Sequence, residues 1–368
     1  MCGIAGWVNT KKDISHNIDI VEGMTDKLVS RGPDSSGFYE NENIILGHRR
    51  LIIVDAKGGA QPMTKQLGEH KFVLVYNGEL YNTDEVRDEL KSKGYRFESY
   101  SDTEVLLVSY IEWGHECVNH INGIFAFGVW DEYNKTLFLA RDHLGVKPLF
   151  YSYKDDNLIF ASQIKALLAN PMAKPVIDEE GIMEIFGLGP ARSLGSGIFK
   201  DIREIPPAHC LLYRDGNVNI KEYWKLEAKP HEDNFEQTRD TVRNLFVDAV
   251  ERQLVSDVPL CTFLSGGLDS SAISAVASNY FKEHNRGTLN TYSIDYRDND
   301  KYFHSNLFQP TSDRFFAEKM SEYLKSSHHT IVLDNIELVE ALKDAVSAND
   351  LPGMADIDSS LLLFCREI

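Results

Sequence analysis

Up to about Asn170, apolar residues come in short runs rich in aromatic and β-branched side chains, separated by turn residues. NIILGHRRLIIVD, KFVLVYNGELYN, IFAFGVWD, TLFLARD, PLFYSY and NLIFAS have the length and composition of strands buried between layers. Two segments break the rhythm. DEVRDELKSKG and SDTEVLLVSYIEWG carry helical periodicity, the second opening with Ser101 or Asp102 as N-cap ahead of Glu104 and closing at Gly114. Helices packed on antiparallel sheets are predicted.

From Asn170 to Pro230 the pattern loosens, punctuated by Gly187, Gly189, Pro190, Gly195, Gly197 and Pro206-Pro207. Beyond it, helix and strand alternate: FEQTRDTVRNLFVDAVERQL, PLCTFLS, LDSSAISAVASNYFKEH, TLNTYSID, RFFAEKMSEYLKSS, HTIVLD and NIELVEALKDAVSAN. Such alternation predicts a parallel, doubly wound sheet. The expected organisation is a first domain over 1–208, a connecting segment over 209–235 and a second domain over 236–368. Length agrees, since 368 residues exceed the roughly 250–300 that one core holds. The chain stops at LLLFCREI, inside a helix-like stretch with no cap, and is expected to be truncated.

With 26% charged residues and 43% apolar ones, the chain has the balance of a folded, soluble protein. No run approaches the roughly 20 apolar residues of a bilayer span, and MCGIAGWVNTKK lacks the order of a signal peptide. A cytoplasmic protein without a membrane partner is expected. A net charge of -18 with no basic cluster repels phosphate backbones, which argues against nucleic acid as a partner. Cys2, Cys117, Cys210, Cys261 and Cys365 form an odd set without CxxC spacing, so neither disulfides nor structural zinc is expected.

Cys2 stands apart from the other four. It follows Met1, and a small second residue allows Met1 to be removed, leaving a thiol and an α-amine on one residue. The thiol is a nucleophile, and an amine of pKa about 7.7–8.0 is a base matched to neutral pH. Acyl transfer also needs an oxyanion hole, for which Asn77-Gly78 offers a side-chain amide and an unobstructed N–H at a strand-end turn. The same dipeptide is the commonest hairpin turn. A free amino acid as acyl donor needs a guanidinium for its carboxylate and an acid for its ammonium; Arg50 and Asp102 could serve, or could be a surface ion-pair partner and a helix cap.

MCGIAGW, RGPDSSG, GHRRLIIVD, GAQPM, YNGELYN, SDTE, NGIFAFGVWD, LARDHLGVKPLFY and FASQIKAL span nearly all of residues 1–170. In this order they resemble class II glutamine amidotransferases of the asparagine synthetase type. The resemblance implies an N-terminal-nucleophile αββα sandwich, with Cys2 as nucleophile, Asn77 and Gly78 as oxyanion donors, and Arg50, Glu79 and Asp102 as the glutamine clamp. Arg31 to Asp34 resemble the segment that orders over bound glutamine.

FLSGGLDSS, Phe263 to Ser271, lies between an expected strand and an expected helix. There the helix dipole and free N–H groups favour an anion, Gly266 and Gly267 let the backbone approach it, and Ser265, Ser270 and Ser271 add donors. The GxxxxGK[ST] pattern of common NTPases is absent. SGGxDS instead resembles the pyrophosphate loop of enzymes that split ATP between its α and β phosphates. A carboxylate must be activated before it accepts ammonia, and ATP supplies the acyl-adenylate. Leu264 and Ile294 resemble adenosine-contacting positions, and Asp269 is expected to help hold Mg²⁺ on pyrophosphate. The DYRDNDKYFHSNLFQPTSD and NDLPGMADIDSSLLLFCREI stretches resemble asparagine synthetases too.

The fold class expected is therefore α+β and α/β: the αββα sandwich, then a partial doubly wound parallel α/β adenine-nucleotide-binding domain. The resemblance implies that glutamine, aspartate and ATP are the partners, with homodimerisation open, and that ammonia released at Cys2 amidates activated aspartate. The SGExxDE-like segment and the later lysine of the family do not occur, so this chain alone is not expected to make asparagine. Another carboxylate acceptor, in a cell-wall precursor or a peptide, and a regulatory protein on a glutaminase-like scaffold remain alternatives.

Overall fold

The computed structural model describes residues 1–305, 307 and 311–368. The 306 and 308–310 positions of the DYRDNDKYFHSNLFQPTSD stretch lie outside the described residues. Two compact units are present, Met1–Ala228 and Lys229–Ile368.

The first unit contains strands β1 (Gly3–Val8), β2 (Ser35–Glu40), β3 (Ile44–Arg50), β4 (Met63–Leu67), β5 (His70–Leu80), β6 (Gly123–Asp131), β7 (Thr136–Arg141), β8 (Phe150–Lys154), β9 (Asn157–Ala161), β10 (Arg203–Glu204), β11 (His209–Arg214) and β12 (Asn217–Glu222). Its helices are α1 (Ile18–Asp26), α2 (Thr83–Ser92), α3 (Asp102–Trp113), α4 (Ile164–Leu168) and α5 (Glu179–Leu188). The strands form two sheets, in the orders β10-β8-β9-β1-β3-β2 and β12-β11-β7-β6-β5-β4. The two sheets face each other. Ile4, Val8, Ile44 and Leu46 of one meet Val73, Val75, Trp130 and Leu139 of the other in one buried cluster. On the outer face of the second sheet, Phe72, Leu74 and Tyr76 pack with Leu106, Leu107 and Tyr110 of α3. The buried Val21 and Met24 of α1 serve the outer face of the first sheet, with α4 beside them. The result is the expected αββα order.

Strand alternation sets which residues enter the space between the sheets. On β1 and β3 the even positions point inward, as Ile4, Val8, Ile44 and Leu46 do. Cys2, His48 and Arg50 continue those rows. On β5 the odd positions Val73 and Val75 point inward, and Asn77 and Glu79 continue that row. Burying the apolar part of each row thus delivers its polar end to one edge of the sandwich.

Three expectations are corrected. Asn77-Gly78 is not a turn: both lie inside β5, paired with Ala126 and Phe125 of β6. The apolar LIIVD portion is not strand either, because β3 stops at Arg50. Residues 209–222 do not connect domains. They form a hairpin, β11–β12, that extends the second sheet beside β7, turning at Asp215-Gly216 where both φ angles are positive. Asp-Gly between alternating runs is the signal that could have found it. In the loosened segment, Asp178 caps α5 by accepting from Gly181 N, and Glu179 and Glu180 favour its first turn.

The second unit alternates helix and strand as predicted: α6 (Phe235–Arg252), β13 (Cys261–Phe263), α7 (Leu268–Glu283), β14 (Asn290–Tyr296), α8 (Asn299–Tyr302), α9 (Asp313–Leu324), β15 (Ser327–Leu333), α10 (Asn335–Asn349) and α11 (Ala355–Glu367). Its strands are parallel in the order β13-β14-β15. Capping boxes at Asn234/Gln237 and Asp334/Glu337 start α6 and α10. Among the described residues no helix is long and apolar enough to cross a membrane.

Candidate functional site

Cys2, half-buried, accepts a hydrogen bond on Sγ from Leu51 N at 3.4 Å, and Sγ lies 3.7 Å from Leu51 O. Its carbonyl accepts from Arg31 Nε at 2.9 Å. Burial pushes the thiol pKa up, while the Leu51 contact and the chain-start amine pull it down. Burial lowers the Met1 α-amino group to about 6. The surroundings of the chain-start amine thus favour its uncharged form at neutral pH, although Met1 is 54% exposed.

Asn77 is 1% exposed, and both its Nδ2 and Oδ1 lack a protein partner. Leaving a buried amide unpaired costs about 1–3 kcal/mol, so such a group marks a place where a ligand completes the bonding. Its neighbour Gly78 must be glycine, since a Cβ there would stand 2.3 Å from Ile124 O and 2.6 Å from Tyr76 Cε2. On the edge of β5 beyond β4, Tyr76 N donates to Gln61 Oε1 at 2.6 Å and Leu80 N to Asp102 Oδ2 at 3.1 Å. Alternation aims the Gly78 N–H at that same edge, between them.

Tyr76 is held from three sides. Besides the Gln61 bond, its carbonyl accepts from His48 Nε2 at 3.0 Å across the two sheets, and its hydroxyl donates to Asp102 Oδ2 at 2.9 Å. His48 is buried and kept neutral, its pKa lowered by burial to about 4. The peptide preceding Asn77 is thereby fixed to both sheets and, through Asp102, to α3.

The charged groups follow. Asp102, half-buried, begins α3 after the Ser101 N-cap, whose Oγ accepts from Thr103 N. Burial raises its carboxyl. Glu79, half-buried, is pushed up to about 8 by burial and then by Asp102, against the pull of Lys147 and the chain-start amine. Arg50 is 6% exposed and donates three bonds to carbonyls: Nη1 to Ala56 at 2.8 Å, Nη2 to Val54 at 3.2 Å and Asp55 at 2.6 Å. Of five guanidinium N–H groups, two are left for a ligand. The Arg31–Asp34 segment is fastened to the same strand end: Asp34 N donates to Arg50 O at 3.0 Å and Ile52 N to Asp34 Oδ2 at 2.8 Å.

The structure thus brings together Cys2, Asn77, Gly78, Glu79, Arg50 and Asp102, named from the sequence. Sequence reasoning missed Tyr76, His48 and Lys147. A lysine in the apolar run LGVKPLF was the one available signal.

In the second unit the segment from Leu264 to Ser271 comprises the loop after β13 and the first turn of α7. Leu264 is fully buried and its N donates to Tyr292 O at 2.7 Å, anchoring the loop to β14, where Ile294 is half-buried. Gly266 has φ +83°, and a Cβ there would lie 2.6 Å from Ala317 N. Gly267 is the N-cap of α7 and brings no capping side chain, which leaves first-turn N–H groups for a ligand. Ser265 Oγ and Ser270 Oγ are 3.0 Å apart, and Ser270 Oγ donates to Gly267 O at 3.2 Å. Asp269 is exposed in the first turn and Ser271 lies beside it, half-buried.

Comparison with known proteins finds a match in each of the two units. Residues 1–224 match the model of the glutamine amidotransferase domain, and residues 241–368 match that of asparagine synthase. The chain is 53% identical over 368 residues to asparagine synthetase [glutamine-hydrolyzing] 3 of Bacillus subtilis (strain 168), covering all of this chain and 60% of that protein. It is 30% identical over 359 residues to asparagine synthetase B [glutamine-hydrolyzing] of Escherichia coli (strain K12), covering 94% of this chain and 56% of that protein. It is also 29% identical over 381 residues to amidase chyE of Penicillium rubens, covering 96% of this chain and 54% of that protein. The chain spans less than two thirds of each relative's length. By the match over residues 1–224, the chain belongs to the glutamine amidotransferase domain family, and it carries that domain in the two-part arrangement of the glutamine-hydrolysing asparagine synthetases.

Proposed function

We propose that this chain hydrolyses glutamine at Cys2 and that, in the full protein, the released ammonia amidates aspartate activated by ATP. The observation that carries the reading is the buried, unpartnered Asn77 amide on the strand row facing Cys2. Once Met1 is removed, the Cys2 amine takes the thiol proton and Sγ attacks the carboxamide carbon. Negative charge develops on the carbonyl oxygen, where Asn77 Nδ2 and the Gly78 N–H donate to it. The ammonium returns the proton to the leaving nitrogen, ammonia departs, and a thioester remains. Water, deprotonated by the same amine, splits the thioester to glutamate and free thiol. The lowering of the neighbouring Met1 amine is in keeping with a neutral amine at this chain start.

Arg50's two remaining N–H groups suit the substrate carboxylate. Glu79, whose carboxylate has no protein hydrogen bond among the described residues, suits its ammonium, with Asp102 near it. For the second unit, the Gly266-Gly267 backbone and the uncapped start of α7 support pyrophosphate binding, with Ser265, Ser270 and Ser271 as donors and Leu264 and Ile294 beside the adenosine. Asp269, a single exposed carboxylate, fits a Mg²⁺ shared with phosphate oxygens. ATP bound there would supply the activated acyl group. Aspartate is favoured as acceptor by the 53% identity to a protein named asparagine synthetase.

The test is ammonia release from glutamine by protein whose Met1 is removed, by protein with an extended N-terminus, and by Cys2→Ala. Activity is expected in the first alone. Full activity with Met1 retained would remove the amine from the mechanism, and activity in Cys2→Ala would remove Cys2.

A further inference from the structure

The turn between β7 and β8 has its polarity reversed. Leu144 is 75% and Val146 52% exposed, whereas Lys147 is 6% exposed. Turns ordinarily send the cation outward and the apolar groups in. Here the backbone is clamped in the opposite sense. Asp142 Oδ1 accepts from Leu144 N at 3.1 Å and Val146 N at 2.9 Å, and Oδ2 accepts from Lys147 N at 2.9 Å and Phe125 N at 3.2 Å. Arg141 holds the other side, Nε donating to Lys147 O and Nη2 to Gly145 O, both at 2.8 Å. Phe125 is the cross-strand partner of Gly78, and its neighbour Ile124 is the partner of Glu79. The clamp therefore fixes Lys147 against the strand pair that carries the oxyanion donors.

The side chain has no structural partner to explain its burial. Among the described residues Lys147 Nζ makes no hydrogen bond or ion pair, while Glu79, Arg31, Cys2 and Asp142 all lie within range of its charge. Burying an unpaired ammonium is costly, and a salt-bridged structural lysine would have its carboxylate in contact. We propose that Lys147 is a positioning residue of the glutaminase pocket, a buried cation that favours the carboxylate of Glu79 over its acid and so strengthens the site for the substrate's α-ammonium. This rests on the reading of Cys2 as the glutaminase nucleophile. The need for such a cation is visible in Glu79's surroundings: Asp102 of α3, the Tyr76 and Tyr81 hydroxyls and the Cys2 thiol, against which the chain-start amine is the other opposing charge. Two half-buried carboxylates that repel each other resist joint ionisation, and Lys147 is the largest opposing charge on Glu79.

The experiment measures kcat and KM for glutamine across about pH 6.5–9 in the full-length protein with Cys2 at its N-terminus. In wild type, KM falls as pH rises and Glu79 ionises near pH 8. In Lys147→Met that profile moves to higher pH by about one unit, giving about tenfold higher KM at neutral pH, with kcat within about threefold. Lys147→Arg restores the wild-type profile. A Lys147→Met profile equal to wild type, or an Arg variant that tracks Met, overturns the proposal. A wild type with free Cys2 and no glutaminase activity removes the Cys2 reading and this one with it. An active wild type whose variants keep its profile removes this one alone.

Discussion

The Cys2 pocket and the Gly266-Gly267 loop both place polar groups at strand ends, yet they show their proposed chemistry in opposite ways. In the first, Cys2, Arg50, Asn77 and Glu79 are carried inward by the same alternation that buries Val73, Val75 and Leu46, and Asn77 arrives without a partner. In the second, Ser265 and Asp269 are exposed, and the Ser265 and Ser270 hydroxyls bond each other. What is specified there is backbone: Gly266 at φ +83° against Ala317, and a helix start left uncapped. A buried site declares its ligand through an unmet bond, whereas an exposed loop declares it through shape and dipole. Side-chain changes should therefore dominate in the first unit and backbone changes in the second.

The sharpest break of that contrast is Asn77→Ala. Loss of one oxyanion donor is expected to lower kcat for glutamine hydrolysis about 10²–10³-fold with little change in KM. No protein hydrogen bond is lost, so thermal unfolding should move little. A decrease below tenfold in kcat would take Asn77 out of the chemistry. Next in size is a pH effect on stability. His48 is neutral when folded and titrates near 4, against about 6.5 unfolded. The unfolded chain binds the extra proton in that interval, so His48's contribution is intact above about pH 6.5 and is lost as pH falls toward 4. The loss amounts to about 3 kcal/mol. Urea titrations at several pH values should show it in wild type and not in His48→Gln.

Smaller still is Gly266→Ala, expected to destabilise the second unit by about 1–3 kcal/mol through the left-handed φ and the Ala317 contact. Ammonia release from glutamine should stay at the wild-type rate, and its loss would contradict the separation of the two sites. Ser265→Ala should cost least, about 0.5–1.5 kcal/mol, because Ser270 keeps its bond to Gly267 O and the Gly267 N–H loses only a long 3.4 Å bond at an exposed position. A larger effect on unfolding of the second unit would mean that side chains shape the loop.

The strand runs and the later helix–strand alternation were legible because burial writes periodicity into sequence. Cys2, Arg50 and Asp102 were legible as chemistry and as motif. Asn77-Gly78 was read as a turn because local propensity says so, yet pairing with Ala126 and Phe125 carries β5 straight through them. Tertiary pairing overrides a two-residue preference. The β11–β12 hairpin was passed over as a connector although Asp215-Gly216 announced it. Tyr76 and His48 were not legible, since their roles depend on two sheets meeting at one peptide. Nor was Lys147, whose inward direction is set by Asp142 and Arg141 and not by any pattern around it.

The most direct measurement is labelling of the processed protein with an electrophilic glutamine analogue, located by peptide mass spectrometry. A single adduct on Cys2, suppressed by glutamine and absent when Met1 is retained, is the predicted result. An adduct on Cys117, Cys210, Cys261 or Cys365 instead, or equal labelling of Cys2 with Met1 in place, would contradict the account.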